Sequence, residues 1–256
     1  MIILIPLILG FLLEIERARY KMKLITFYNT NIYGYLLYIL NSLIYIIYYN
    51  QYNYNINRLS IHKDFNINHE AILNEVEDAL NEFNVTNPGI FDDDFEQDND
   101  DYGYFVLKFY GMINTNICPS VRKLIQNNKI HTCFISIMDK ELDIHEHRGP
   151  NAGLLRYHYT LLSANSKDDF LHVKKNKFYW KEKDGFLFDD TYRHYVIKKT
   201  NGMRISIICD FERDLIFPLS LLNRFILKYL TSLFSTKILQ KMCIPEKKRG
   251  IYIEKN

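Results

Sequence analysis

The 256-residue sequence predicts a mainly β fold of jelly-roll type, with flanking helices and an N-terminal hydrophobic membrane segment. Three observations predict it. Seven short strand-like runs follow one another between residues 131 and 211, with turn residues between them. Helical periodicity is confined to the segments before and after them. Near the N-terminus, the uncharged run Ile32–Tyr49 reaches the ~18 residues at which a membrane span is expected. The chain divides accordingly into a hydrophobic region over 1–58, a jelly-roll domain with its leading helices over 59–217, and a C-terminal helix with a basic tail over 218–256.

Met1–Leu13 is apolar but short for a span, and it lacks the basic start and small-residue cleavage site of a signal peptide. Ile32–Tyr49 is interrupted only by Asn41 and Ser42, and its tyrosines suit membrane interfaces. It reads as a span, with a buried or interfacial hydrophobic hairpin as the plainer alternative. The protein is therefore expected at a membrane, held by an N-terminal anchor. The basic link between the two stretches, with Arg17, Arg19, Lys21 and Lys23, favours the cytoplasmic side, while Arg58 and Lys63 argue weakly the other way.

Asn50–Asn57 is a polar linker. A helix follows, with Asn68 available as its cap and Ile72, Leu73, Val76, Leu80 and Phe83 on one face. The acidic run Asp92–Asp101 reads as a solvated loop. Phe105–Met112 reads as extended, and Pro119 opens a short helix through Leu124. The strand runs are "HTCFISIM", "GLLRYHYTLLS", "FLHVKK", "KFYWKE", "GFLFDD", "HYVIKK" and "MRISIICDF". Gly149-Pro150-Asn151, Asn165-Ser166, Lys183-Asp184-Gly185 and Thr200-Asn201-Gly202 mark turns between them. From Pro218 the period is helical again. Leu221, Leu222, Phe225, Ile226, Tyr229, Leu230, Leu233 and Phe234 form the apolar stripe of a docking helix.

Hydrophobic residues make up 48 % of the chain, enough for a sizeable core, and a formal charge of +2 gives no global field for nucleic acid. The four cysteines, Cys118, Cys133, Cys209 and Cys243, show no zinc-knuckle spacing and imply no disulfide framework.

The chemistry centres on "HEHRGPNAGLLRYH". Strand alternation puts His145, His147 and Gly149 on one face and turns Glu146 away, which makes Glu146 a poor candidate to complete a metal triad with His147. On the next long strand Arg156, His158 and Thr160 share a face opposite Leu155, Tyr157, Tyr159 and Leu161. An Arg and a His among such neighbours are costly to bury without partners, and together they suggest an anionic ligand. His194 begins a strand after a turn containing Asp189 and Asp190, and Arg204 lies just past Asn201-Gly202. A hairpin there would bring His194 and Arg204 together, as a site for a chelating keto acid requires: a metal at one end and an Arg fork on the distal carboxylate. Asp189 and Asp190 read as turn formers or as partners that orient His194. His62, His131 and His172 read as structural histidines and Trp180 as core.

These segments, with "LKFYGMINTNICPSVRKL" and "LLNR", resemble the aspartyl/asparaginyl β-hydroxylase family over about Phe105–Arg224, and within it the lipid A 2-hydroxylase branch. The resemblance implies an iron(II)- and 2-oxoglutarate-dependent dioxygenase on a double-stranded β-helix. It implies His147 and His194 as the iron ligands and catalytic centre, and Arg204 on the distal carboxylate of 2-oxoglutarate. Ser136, Arg156 and His158 match positions that help hold the cosubstrate. The family has Gly where a carboxylate ligand is usual, so Gly149 agrees with it, and His145 matches no ligand. The expected partners are 2-oxoglutarate, dioxygen, a lipid or protein substrate and a membrane, without nucleic acid. The reaction expected is hydroxylation of a C–H bond, of a membrane-lipid acyl chain or alternatively of an Asp or Asn side chain in a protein. Halogenation and a membrane-anchored binding module without activity are the remaining alternatives.

Overall fold

The computed structural model describes residues 4–20, 32–85, 102–110, 112–114, 116–126 and 129–230. Eleven strands in this part form two sheets. The larger comprises β1 (Asn53–Tyr54), β2 (Tyr102–Phe109), β3 (Met112–Ile113), β4 (Ile130–Met138), β6 (Leu154–Leu162), β9 (Gly185–Phe188) and β11 (Arg204–Glu212), in the order β1-β9-β6-β11-β4-β2-β3. The smaller comprises β5 (Leu142–His147), β7 (Phe170–Val173), β8 (Asn176–Tyr179) and β10 (His194–Lys198), in the order β5-β10-β7-β8. All pairings are antiparallel.

The expected closed jelly roll, and the double-stranded β-helix implied by resemblance, are not what forms. The large sheet ends in the two-residue strands β1 and β3, the small one at β5 and β8, and no ladder joins them among the described residues. Among the described residues six α-helices accompany the sheets, so the fold is mixed α/β with open sheets. The outer face of the large sheet is apolar and needs cover. α3 (Ser60–Ile67), α4 (His69–Glu82) and α5 (Pro119–Leu124) supply it, burying Phe65, Ile72, Val76 and Val121 against Ile135, Tyr157, Tyr159 and Ile207. A second core between the sheets holds Ile144, Leu171, Val173, Trp180, Phe186, Phe188 and Val196.

The expected N-terminal membrane segment is also corrected. α1 (Leu4–Tyr20) and α2 (Ile32–Ile47) are helical, but no described helix is long and apolar enough to cross a membrane. The 16 residues of α2 rise about 24 Å, short of a hydrocarbon core of about 30 Å. The polar interruptions in the run are protein contacts. Asn41 is buried, donates to Glu16 Oε1 and Pro150 O, and accepts from the Ala152 N–H, all at 2.8 Å. Ser42 donates to Leu12 O at 2.6 Å. The run thus packs as a helical hairpin with α1 against the sheet domain. The membrane partner and N-terminal anchor expected from composition rested on that span, which none of the described helices supplies. The C-terminal stripe begins as expected, with α6 (Leu219–Phe225) and a π-helical turn over Ile226–Leu230. Leu233, Phe234, Cys243, Lys21, Lys23 and the acidic run 92–101 lie outside the described residues.

Candidate active site

A cavity of about 330 Å³ lies between the sheets, and all six residues singled out from sequence line it: Ser136, His147, Arg156, His158, His194 and Arg204. From the large sheet, the inward phase of β6 carries Arg156 and His158, while Leu155, Tyr157, Tyr159 and Leu161 join the core behind. The parity of this strand is as read from sequence.

The parity of β5 is not. His194 is opposite His147, yet Val196 is opposite Ile144, so β5 carries one extra residue between them. This bulge resets the alternation. His147 turns into the cavity with Ile144, and His145 and Glu146 are both exposed. Without the bulge His147 would share the outward phase of His145. Glu146 does point away, paired with Arg193. The hairpin expected between His194 and Arg204 is likewise absent: β10 and β11 belong to different sheets. The chain crosses the sandwich after Gly202, and the two residues meet across the cavity instead of along a ladder.

The His147 and His194 rings lie 4.1 Å apart between centroids. Each Nδ1 sits 2.8 Å from the carbonyl two residues upstream, His145 O and Tyr192 O. A ring nitrogen facing a carbonyl is the protonated donor, so Nε2 of each ring carries the lone pair. This is the arrangement that orients metal-binding imidazoles. Burial, with His147 nearby, holds the His194 pKa well below its ordinary value, so the ring is neutral as a metal ligand must be. Among the described residues no group of three or more His, Cys, Asp or Glu side chains is arranged to hold a metal, so the chain offers two imidazoles here.

Asp190 explains the glycine. A Cβ on Gly149 would fall 1.7 Å from Asp190 Oδ2 and 2.5 Å from its Cγ. The Gly149 N–H donates to the Asp190 carbonyl at 2.8 Å. Asp190 Oδ2 meets Arg156 Nη1 at 2.9 Å, and Oδ1 lies 3.3 Å from His194 Nε2 without a hydrogen bond. Burial pushes the Asp190 carboxyl up to about 7 despite Arg156. Asp189, by contrast, is the expected turn former, accepting from the Thr191 N–H and Oγ1. It also pairs with buried Arg213 at 2.6 Å.

Arg156 differs from the sequence expectation of an Arg awaiting an anion. Its Nε donates to Asp210 Oδ1 at 2.8 Å and its Nη2 to Oδ2 at 3.1 Å, and Asp190 takes Nη1. Asp210 went unnoticed in the sequence, although it shares the parity of Arg204 on β11. Two carboxylates on one guanidinium make an internal ion-pair network that shapes the cavity.

Arg204 keeps most of its donors unused. It is 2 % exposed, and Nη2 alone is engaged, donating to Ser136 Oγ at 3.3 Å. Nε and Nη1 are buried and make no hydrogen bond among the described residues. Its Cζ lies 4.1 Å over the Trp180 ring, and burial brings its pKa down to about 10. His158 stacks on Phe186 with centroids 4.8 Å apart, and its buried Nδ1 is also unpartnered. Buried guanidinium donors in this state suit a bound carboxylate. Toward β2 the cavity wall turns aromatic, through Tyr102, Tyr104, Phe109, Tyr110 and Phe134.

The sequence profile of the aspartyl/asparaginyl β-hydroxylase family matches residues 66–214, more than half of the chain. A curated relative, the ornithine lipid ester-linked acyl 2-hydroxylase of Rhizobium tropici, is 29 % identical over 124 residues, 47 % of this chain and 44 % of that protein. The match thus spans less than half the length of that relative. Among solved structures, an oxidoreductase of the 2OG-Fe(II) oxygenase family from Burkholderia pseudomallei aligns at 14 % identity over 44 % of this chain and 68 % of its own, with a TM-score of 0.35. An HTH_3 family transcriptional regulator from Vibrio cholerae aligns at 9 % identity over 80 % of this chain and 93 % of its own, also with a TM-score of 0.35. Scores this low carry no argument about fold or function.

Proposed function

Because the chain belongs to the aspartyl/asparaginyl β-hydroxylase family, we propose that it hydroxylates a C–H bond of an aspartyl or asparaginyl side chain, with 2-oxoglutarate as cosubstrate and iron(II) held by His147 and His194. The family consists of hydroxylases of the 2-oxoglutarate and iron(II) type, and membership supports an enzyme of that general kind. The observation that carries the assignment of residues is Arg204, a buried guanidinium with two unpartnered nitrogens in the same cavity as the two facing imidazoles.

Iron(II) held there would activate dioxygen, the oxidant, so that 2-oxoglutarate and a substrate C–H become succinate, carbon dioxide and a hydroxylated carbon. The chain's residues do the rest. His147 and His194 present Nε2 lone pairs fixed by their Nδ1 hydrogen bonds. Arg204 forks the distal carboxylate, with Ser136 and His158 beside it. Arg156, locked by Asp190 and Asp210, holds the wall without being consumed by the cosubstrate. The ion-paired Arg156, Asp190 and Asp210 make that wall polar.

The aromatic wall supports a second reading, hydroxylation of a fatty-acyl C–H, and the acyl 2-hydroxylase relative points the same way. A panel of Asp- and Asn-containing peptides beside fatty-acyl esters and amides separates the two. Gain of one oxygen atom on a peptide, coupled to succinate release, supports the first reading. Gain on an acyl chain alone replaces it with the second. Failure to form succinate with either class leaves a binding module without activity.

A further inference from the structure

A second cavity, of about 310 Å³, lies against the small sheet, and it belongs to neither reading of the active site. Its lining includes Arg19 from α1, Arg148 just after β5, Arg193 just before β10 and Lys174 just after β7, with Glu146 as its single carboxylate among the described residues. Glu146 is committed to Arg193, and Arg19 is paired with Glu16 at 2.9 Å. Lys174 is not matched by any acid in this part of the chain. Its ammonium donates to the neutral Asn50 Oδ1 at 2.7 Å and lies 4.5 Å over the Tyr192 ring. Burial lowers its pKa, and the charges that act on it, Arg19, Arg148 and Lys175, are all cations. The buried Glu16 carboxylate acts on Arg19 and Arg148, and Glu146 on Arg193, so Lys174 is the cation of this group on which no described carboxylate acts. Arg148 also lines the active-site cavity, so the two cavities share a wall.

We propose that this cavity is an anion-binding site for a phosphate-class group, with Lys174 as its principal donor and Arg19 and Arg148 at its rim. A dianion matches several converging cations better than a single carboxylate does, and the tyrosine floor excludes water on one side. The group can be free phosphate or a phosphate monoester, since both present the same oxygens.

The test uses the full chain and titrates inorganic phosphate, then glycerol phosphate, by calorimetry at low ionic strength. The same titrations are made on Lys174→Gln and, as charge reversal, Lys174→Glu. Both substitutions are at an exposed position, and thermal unfolding verifies that each variant folds. The expected result is phosphate binding that weakens by about tenfold in Lys174→Gln and is lost in Lys174→Glu, while 2-oxoglutarate binding in the presence of metal is unchanged. Tighter binding of glycerol phosphate than of phosphate identifies a monoester as the ligand; equal affinities identify the free ion. Phosphate affinity that is the same in wild type and both variants overturns the proposal. So does phosphate binding that 2-oxoglutarate abolishes by competition, because the anion is then in the Arg204 site.

Discussion

Gly149 and Asp190 share one volume: the side chain that residue 149 lacks would occupy the place where the Asp190 carboxylate lies, 1.7 Å from Oδ2. Gly149→Ala must therefore displace a short, ion-paired side chain from Arg156 and from beside His194. Overpacking of this kind costs about 1–3 kcal/mol. Urea unfolding of Gly149→Ala, alone and combined with Asp190→Gly, measures it. The penalty is expected to shrink in the double variant, where the carboxylate no longer stands in the way.

Arg204→Ala removes the fork for the distal carboxylate. The expected loss of 2-oxoglutarate affinity is about 1.5–3 kcal/mol, the scale of a charged hydrogen bond. Anaerobic calorimetry in the presence of metal reads it directly, and an unchanged affinity would place the cosubstrate elsewhere.

Asp210→Ala leaves Arg156 with one of its two carboxylates and deprives the Thr132 hydroxyl of its acceptor at 2.6 Å. Breaking a largely buried pair costs about 3 kcal/mol. Denaturant midpoints should fall accordingly, and Asp210→Asn, which keeps the acceptor oxygen, should fall less.

His69 is buried with its Nδ1 2.9 Å from the Tyr159 hydroxyl, and burial lowers its pKa. The unfolded chain therefore binds a proton that the folded one refuses. Stability from this group is full above the ordinary His pKa of about 6.5 and is lost as pH falls through the lowered folded value, by at most about 1.4 kcal/mol per pH unit. Unfolding free energies of wild type and His69→Gln between pH 7.5 and 5 should diverge in slope, with wild type the steeper. Parallel slopes would remove His69 as the cause.

The positions of most strands along the chain, though not their order in the sheets, could be read from residues alone, because one face of each long strand is apolar. The alternation in Leu154–Leu162 sorts Arg156 and His158 from Tyr157 and Tyr159 without any structure. Pro119 marks the start of a helix that ends at Leu124, as its spacing implies. What residues alone did not show depends on distant partners. The bulge at His145–Glu146 is set by pairing with β10, so simple parity placed His145 beside His147. Asn201-Gly202 looks like a hairpin turn, but the strands it joins are claimed by different sheets. Ile32–Tyr49 has the composition of a span, and only its contacts with Glu16, Leu12 and Pro150 reveal a packed hairpin. Asp190 sits next to Gly149 through folding, 41 positions along the chain, which no local pattern encodes.

The central claim is that His147 and His194 hold iron(II) in the cavity where Arg204 receives 2-oxoglutarate. Anaerobic addition of iron(II) and 2-oxoglutarate to the full chain, followed by visible absorption, tests it most directly. A weak metal-to-ligand charge-transfer band in the wild type, absent in His147→Ala and shifted to higher 2-oxoglutarate concentrations in Arg204→Ala, is the predicted result. No band in the wild type, or an equal band in His147→Ala, would contradict it.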